Sequence, residues 1–182
     1  MIIKKTGIED LLIIEPKIFG DKRGYFLETW NQQLAEKNGI HFNPVQHNES
    51  KSSYGVVRGL HYQLKPYGQS KLVRVVDGNV LDVAVDLRKD SPTFGQHYAV
   101  ELSGENKKQF LIPKGFAHGF AVLSDTAVFS YLCDEFYNPE SERGIKFDDP
   151  KLAIDWRIPI DKINLSDKDL ANPSFINAEM NF

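Results

Sequence analysis

The stretch KLVRVVDGNVLDVAVDL, residues 71–87, decides the fold class. Two apolar runs rich in β-branched residues, Leu72–Val76 and Val80–Leu87, flank Asp77-Gly78-Asn79. This pattern predicts a tight β-hairpin with Gly78 at positive φ. Similar short runs, separated by Gly, Pro, Asp and Asn, predict further strands at Leu11–Ile14, Tyr25–Thr29, Val56–Gln63, His97–Leu102, Gln109–Ile112, Phe120–Leu123 and Ala127–Cys133.

Helical signals are few and lie outside these runs. Trp30–Lys37 predicts a helix that stops at Asn38-Gly39, and a shorter helix is expected from Ser166. Many short strands with little helix favour an all-β sandwich or barrel, and a double-sheet jelly roll with short peripheral helices fits the strand count best. We expect one domain over residues 1–182, with an N-terminal arm of about residues 1–50, a core of about 51–135 and a C-terminal segment of about 136–182.

The composition argues against several classes of protein. With 41% apolar and 12% aromatic residues, the chain has the profile of a packed globule rather than a disordered segment. The longest aliphatic run, Leu11–Ile14, is too short to span a bilayer, and Met1–Asp10 has no signal-peptide pattern. The net charge of −3 and the lone Cys133 give no basic footprint for nucleic acid and no internal disulfide. We therefore expect a cytoplasmic protein with a small-molecule substrate, and no membrane or nucleic-acid partner.

Polar side chains recur at positions that should face the interior of the sheets. His61 and Gln63 share one face of their strand because strand side chains alternate with period two. Lys71 and Tyr131 share strand faces with apolar residues, and His118 follows a predicted turn. Burying these groups is costly unless a polar ligand occupies the space, so the sequence predicts a binding pocket between the sheets.

The same positions resemble the two signatures of the cupins, which are small jelly rolls. Gly55, His61-Tyr62-Gln63, Lys71 and Gly78 match the first signature, and Pro113-x-Gly115-x-x-His118 matches the second. Metal-binding cupins use three histidines and a glutamate, but Gln63 and Lys71 replace two of those four groups here. An ammonium group repels a divalent cation and only two imidazoles remain, so we expect no metal site.

Among the cupins, the chain resembles the dTDP-4-dehydrorhamnose 3,5-epimerase family nearly from end to end. The resemblance implies an enzyme that inverts C3 and C5 of a nucleotide-linked 4-keto-6-deoxyhexose. It also implies that no cofactor is needed, because the ketone of the substrate is the electron sink. The matching stretches are Glu15–Gly24, Phe26-x-Glu28, Arg58–Gln63, Lys71–Arg74, Asp82–Arg88, Ser91–Gly95, Ile112–Phe120, Asp149-Pro150 and Leu165–Asp169.

The resemblance implies roles for four residues in the reaction. His61 is expected to be the base, with Asp169 orienting its imidazole. Tyr131 is expected to be the acid on the opposite face of the sugar, and Lys71 to face the developing O4 oxyanion. From the residues alone, Ser166-x-x-Asp169 reads equally well as a helix-capping box, and the two roles are compatible.

Other residues match positions where the family contacts its substrate. Arg23 and Arg58 suit the diphosphate because a guanidinium group pairs with phosphate oxygens, and Phe19, Phe26 and Tyr137 suit the thymine ring. In the family the N-terminal strands cross to a partner subunit, which implies a homodimer. The remaining substrate contacts implied in this way are Glu28, Gln46, Asn48, Lys71, His118, Glu142 and Lys168.

Three alternatives remain open at this point. Relatives that invert only C3 or only C5 would share most of these residues. A nucleotide-sugar-binding module without catalysis would not need His61, Lys71 and Tyr131 together. A metal-dependent cupin oxygenase is disfavoured by Gln63 and Lys71.

Overall fold

Thirteen strands are the main regular elements of the protein in a computed structural model that describes residues 1–182. The strands are β1 Ile2–Lys5, β2 Leu12–Glu15, β3 Ile18–Asp21, β4 Gly24–Leu27, β5 Gln46–Ser53, β6 Val57–Gln63, β7 Lys71–Asp77, β8 Asn79–Asp86, β9 His97–Ser103, β10 Gln109–Ile112, β11 Phe116–Val122, β12 Thr126–Cys133 and β13 Glu142–Gly144.

The helices are short and lie outside the sheets. They are α1, Gln32–Lys37, and α2, Asp167–Leu170, with 3-10 turns at Ile160–Lys162 and Phe175–Asn177. No helix of the chain combines the length and the apolar character needed to span a membrane. Both predicted helices are present, each within a few residues of its expected position.

Two antiparallel sheets hold eleven of the strands. The first has the order β1-β2-β10-β7-β12-β5, the second has the order β13-β6-β11-β8-β9, and β3 and β4 form a separate hairpin. One apolar cluster, with Val73, Phe110 and Phe129 from the first sheet and Ala84 and Phe120 from the second, joins the two sheets face to face. This arrangement confirms the all-β jelly-roll prediction.

The turn at Gly78 corrects one detail of that prediction. β7 and β8 are consecutive strands but do not pair, because β7 belongs to the first sheet and β8 to the second. The chain therefore turns a corner between sheets at Gly78 instead of forming a hairpin. Its φ of +81° is the positive value expected, and a Cβ there would lie 2.1 Å from the carbonyl oxygen of Thr126. Alternation of side chains predicts strands but carries no information about which strands pair.

Four strands were not predicted from the sequence, namely β1, β3, β5 and β13. β5 has the sequence QHNESKSS, which lacks the apolar alternation that marks a half-buried strand. It pairs with β12 along its whole length, from Gln46 opposite Cys133 to Ser53 opposite Thr126. Both sheets thus take strands from outside the expected core of about residues 51–135.

The outer faces of the sheets are covered by the ends of the chain. Residues of the C-terminal segment, including Ile145, Trp156 and Phe175, pack with the outer side chains of β6, β8 and β11 in a second apolar cluster. Ala35 of α1 and the neighbouring Phe42 cover part of the first sheet. Cover on both faces explains why β8 reads as a nearly continuous apolar run.

Asp86, fully buried at the end of β8, organises the turn that follows it. Its carboxylate accepts hydrogen bonds from Arg88 Nε at 2.9 Å, Ser91 Oγ at 2.7 Å and Thr93 Oγ1 at 2.7 Å. Burial alone would raise the pKa of Asp86, but these hydrogen bonds outweigh it and lower the pKa to about 2.

We expect Asp86→Asn to lower the free energy of unfolding at pH 7. The difference in this free energy between the variant and the wild type should become smaller as the pH falls. A carboxyl whose pKa is depressed by folding stabilises the fold above its unfolded pKa, and this contribution disappears as the pH falls from about 4 to 2. The pKa difference corresponds to about 2 kcal/mol. Denaturant unfolding of both proteins at several pH values measures the difference in free energy. Asp90→Asn, in the same turn but exposed, is the control. A difference between Asp86→Asn and the wild type that does not change with pH would contradict the lowered pKa of Asp86.

Candidate active site

A cavity of about 480 Å³ opens between the two sheets at one end of the apolar cluster. A neighbouring cavity of about 300 Å³ shares three of its lining side chains, those of His61, Lys71 and Tyr131. These three groups, from β6, β7 and β12, therefore face one continuous polar region. The predicted site residues in the wall of the larger cavity are Arg58, His61, Lys71, His118, Tyr131, Lys168 and Asp169.

His61 and Asp169 form a direct pair across the top of the larger cavity. The imidazole Nε2 lies 2.5 Å from Asp169 Oδ1. Burial raises the pKa of Asp169, but the hydrogen bond and charge of His61, together with hydrogen bonds from Ser166 and the Gly59 backbone, produce a net lowering. Asp169 is therefore an ionised, buried partner for the imidazole, and the second ring nitrogen of His61 remains available for another group.

Lys71 brings an ammonium group into the region shared by both cavities. Burial is the main influence on its pKa and lowers it, while the negative charges of Asp82 and Glu142 oppose that effect. No hydrogen-bond partner within the chain contributes. A buried ammonium group without a hydrogen-bond partner is costly, so this position favours an anionic or strongly polarised ligand oxygen.

Tyr131 faces the cavities from the first sheet, opposite Asn48 of β5. The ammonium nitrogen of Lys71 lies 6.0 Å from the centre of its ring. Burial is the main cause of a raised pKa for Tyr131. Its phenol therefore stays protonated near neutral pH and is a hydrogen donor to whatever occupies the cavity.

Asp82 is a site residue that the sequence reasoning did not single out. It is fully buried in β8, and both of its carboxylate oxygens lie 3.0 Å from Nε2 of His118. Burial raises the pKa of Asp82, and the charges of His118 and Lys71 oppose that rise. The signal was an acidic residue inside an otherwise apolar strand, which requires a buried partner. His118, which is itself buried, thus forms a second histidine–aspartate pair in the wall of the larger cavity.

At the mouth of the smaller cavity, Glu142 joins two of the predicted residues. Tyr137 Oη donates to Glu142 Oε2 at 2.6 Å, and Lys168 Nζ forms a salt bridge with the same oxygen. Burial raises the pKa of Glu142, but the hydrogen bonds from Lys168 and Tyr137 and the charges of Lys168 and His61 lower it overall. Gln46 and Asn48 line the same cavity from β5.

Gln63 is held by backbone groups and does not point a free polar atom at the site. Its Nε2 donates to the carbonyl oxygens of Tyr67 at 2.6 Å and Phe136 at 3.2 Å, and its Oε1 accepts from the N–H of Asn138 at 2.8 Å. The side chain therefore ties two loops together beside the smaller cavity. On the other side, Arg58 Nε donates to Ser52 Oγ at 3.1 Å.

Four predicted substrate contacts lie elsewhere in the chain. Phe19, Phe26 and Glu28 line a separate cavity of about 380 Å³ beside β2. Arg23, at the tip of the β3–β4 hairpin, is 84% exposed and paired with Asp21 at 2.6 Å. Within one chain, the structure does not bring these four residues to His61.

The arrangement around His61 contains the parts needed for proton transfer next to a carbonyl group. It has an imidazole with an ionised partner, a protonated phenol on the other sheet and, beside that phenol, an ammonium group without a hydrogen-bond partner in the chain. A base, an acid and a cation for a developing oxyanion are the groups that enolate chemistry requires.

Comparisons with known proteins agree with this chemistry. A sequence profile of the family described as dTDP-4-dehydrorhamnose 3,5-epimerase matches residues 5–177. The chain is 54% identical over 180 residues to the dTDP-4-dehydrorhamnose 3,5-epimerase of Shigella flexneri, which covers 98% of both chains. The crystal structure of the dTDP-4-dehydrorhamnose 3,5-epimerase from Elizabethkingia anophelis NUHP1 matches with a TM-score of 0.93 at 55% identity, covering 97% of each chain.

A second solved structure carries a ligand. It is the dTDP-6-deoxy-D-glucose-3,5-epimerase from Legionella pneumophila Philadelphia 1 in complex with dTDP-4-keto-L-rhamnose, and it matches with a TM-score of 0.92 at 53% identity. The match covers 96% of this chain and 93% of that one. This chain therefore belongs to the dTDP-4-dehydrorhamnose 3,5-epimerase family.

Proposed function

We propose that the protein is an isomerase that converts dTDP-4-dehydro-6-deoxy-D-glucose to dTDP-4-dehydro-L-rhamnose by inverting C3 and C5. The observation that carries the proposal is the convergence of His61, Lys71 and Tyr131 on one polar region between the sheets. Both carbons are α to the ketone at C4, so one enolate-stabilising group serves both inversions.

His61 acts as the base in this proposal. It removes a proton from one of these carbons at a time and releases it to solvent before the second removal, and the ionised Asp169 carboxylate at 2.5 Å stabilises the imidazolium that forms. The electron pair moves into the ketone and becomes an enolate, so the substrate itself supplies the electron sink. The proposed reaction accordingly needs no cofactor and no metal ion.

Lys71 and Tyr131 complete the reaction from the first sheet. The ammonium group of Lys71, which has no hydrogen-bond partner in the chain, stabilises the enolate oxygen at C4. The phenol of Tyr131 donates a proton to the carbon on the face opposite His61, which inverts the centre, and the phenolate takes up a proton from solvent before the second inversion. Because burial raises its pKa, Tyr131 is protonated when substrate binds.

The remaining residues of the two cavities hold the nucleotide sugar. Arg58 and Lys168 are cations in the wall of the larger cavity and suit the diphosphate. Tyr137 is exposed beside the smaller cavity, where its ring suits stacking on the thymine. Further contacts come from Gln46, Asn48, His118 and Glu142.

A homodimer accounts for the four residues that do not reach His61 in their own chain. The β3–β4 hairpin exposes the large apolar side chains of Phe19, Tyr25 and Phe26, with Phe26 66% exposed. In a two-fold dimer, each hairpin would contribute Phe19, Arg23, Phe26 and Glu28 to the cavity of the partner subunit. Cytoplasmic localisation, expected from the sequence, stays a prediction.

Deuterium incorporation tests the reaction directly. In deuterium oxide with dTDP-4-dehydro-6-deoxy-D-glucose, we expect label at both C3 and C5, measured by NMR. Label at one carbon would indicate a single-site epimerase, and no label would indicate a binding module. His61→Asn should slow exchange at both carbons by about 10³-fold, because one base serves both. His41→Asn, on the exposed surface, is the matched control.

Tyr131→Phe should separate the two halves of the reaction. We expect epimerisation to fall by about 10²-fold, with a smaller loss of proton exchange, because a base exchanges protons on its own face without an acid opposite. Product analysis and deuterium content in the same samples give the two rates. Tyr98→Phe, a half-buried tyrosine of β9, is the control. Equal losses of both rates in Tyr131→Phe would contradict this division of roles.

Mixing two inactive variants tests whether the hairpins cross between subunits. Arg23→Ala and His61→Asn should each be impaired alone. After co-refolding in equal amounts, half of the dimers are mixed and each has one intact site, so about a quarter of wild-type activity should return. No recovery, in a sample shown to contain mixed dimers, would place Arg23 in the site of its own chain.

A further inference from the structure

Ser166 lies in the wall of the larger cavity and contacts Asp169 twice, but it makes no hydrogen bond to the imidazole of His61. Its Oγ accepts a hydrogen bond from the backbone N–H of Asp169 at 3.1 Å. The same hydroxyl group donates to Asp169 Oδ2 at 2.9 Å. A serine hydroxyl has one proton, and the N–H of Asp169 uses one of its lone pairs, so the proton is directed at the carboxylate.

This geometry departs from an ordinary capping box. In that motif the acidic side chain three residues after the cap returns a hydrogen bond to the backbone N–H of the cap residue. The carboxylate of Asp169 is used differently here, with Oδ1 on His61 at 2.5 Å and Oδ2 on Ser166. Ser166 caps α2, but Asp169 is turned towards the imidazole.

We propose that Ser166 is a positioning residue for the epimerase reaction, and that its hydroxyl group holds the Asp169 carboxylate in the rotation that keeps Oδ1 on His61. The inference rests on the role of His61 as base in the proposed function. It adds a third member to the His61–Asp169 pair, placed on the side of the carboxylate away from the imidazole.

Burial makes this hydroxyl group hard to replace with water. The side chain of Asp169 is only 5% exposed; Oδ1 lies on His61, Oδ2 lies on Ser166, and the carboxylate also accepts a hydrogen bond from the backbone N–H of Gly59. Without the hydroxyl group, Oδ2 would lack its side-chain donor, and the carboxylate could rotate towards other donors. Because one imidazole serves both carbons, such rotation should slow exchange at C3 and C5 to the same extent.

Three substitutions at this position separate positioning from helix capping. Ser166→Ala removes both hydrogen bonds, and Ser166→Thr keeps the hydroxyl group. Ser166→Asp keeps a good N-cap but has no proton to donate to Asp169. Ser174→Ala is the matched control, because Ser174 also precedes a short helical turn but makes no side-chain capping bond.

We expect kcat to fall at least about tenfold in Ser166→Ala and Ser166→Asp, since small misplacements of a reacting group are costly. In Ser166→Ala, KM and the affinity for dTDP alone should stay within about twofold, and Ser166→Thr should restore most of kcat. Deuterium exchange at C3 and C5 should fall by the same factor in both impaired variants.

Several results would overturn the inference. Wild-type kcat in Ser166→Ala or in Ser166→Asp would show that the hydroxyl donor is unnecessary. A lower kcat in Ser166→Ala, Ser166→Thr and Ser166→Asp, together with weakened dTDP binding, would show that Ser166 has a merely structural role. Exchange retained by His61→Asn would overturn the proposed base itself, whereas an inactive His61→Asn with a fully active Ser166→Ala would overturn only the role of Ser166.

Discussion

The stacking of Phe129 on Phe120 is the contact on which the site depends. Phe129 belongs to the first sheet and Phe120 to the second, and their ring centres are 4.2 Å apart at an angle of 14°. Phe129 also stacks on His118, with ring centres 6.0 Å apart. The apolar contact that joins the sheets thus ends against the polar groups of the site. The rigid packing of the sheets holds His61 and Tyr131 on opposite walls of one cavity.

The site also contains charged side chains that are removed from solvent, and not all of them have a partner within the chain. Asp82 is matched by His118, and Asp169 by His61, each within hydrogen-bond distance. Lys71 has no comparable partner, and its desolvation is not offset by a hydrogen bond within the chain. Stability is reduced at this position in the free protein, and a substrate oxygen that develops negative charge supplies the missing partner. This is the usual cost of a preorganised electrostatic site.

Much of the fold was predictable because alternating apolar residues mark strands with one buried face. The failures have local physical causes. β5 is polar on both faces because its inner side chains, such as Asn48, line the cavity instead of the apolar core. Asp82 was overlooked because a single buried carboxylate looks the same as a surface one until its partner is known. The candidate site was predictable mainly through short motifs, and the structure brought most of their residues together while leaving Arg23 and Phe26 apart.

The sequence by itself determined that the chain forms short strands, that Gly78 adopts positive φ and that histidine, lysine and tyrosine side chains face inward. These are properties of residues close together in the chain, set by backbone sterics and the two-residue period of a strand. Only the tertiary structure decided that β7 and β8 join different sheets, that Asp82 meets His118 and that Asp169 meets His61. Those contacts join residues distant in sequence, and side-chain alternation holds no information about which strands and loops will meet.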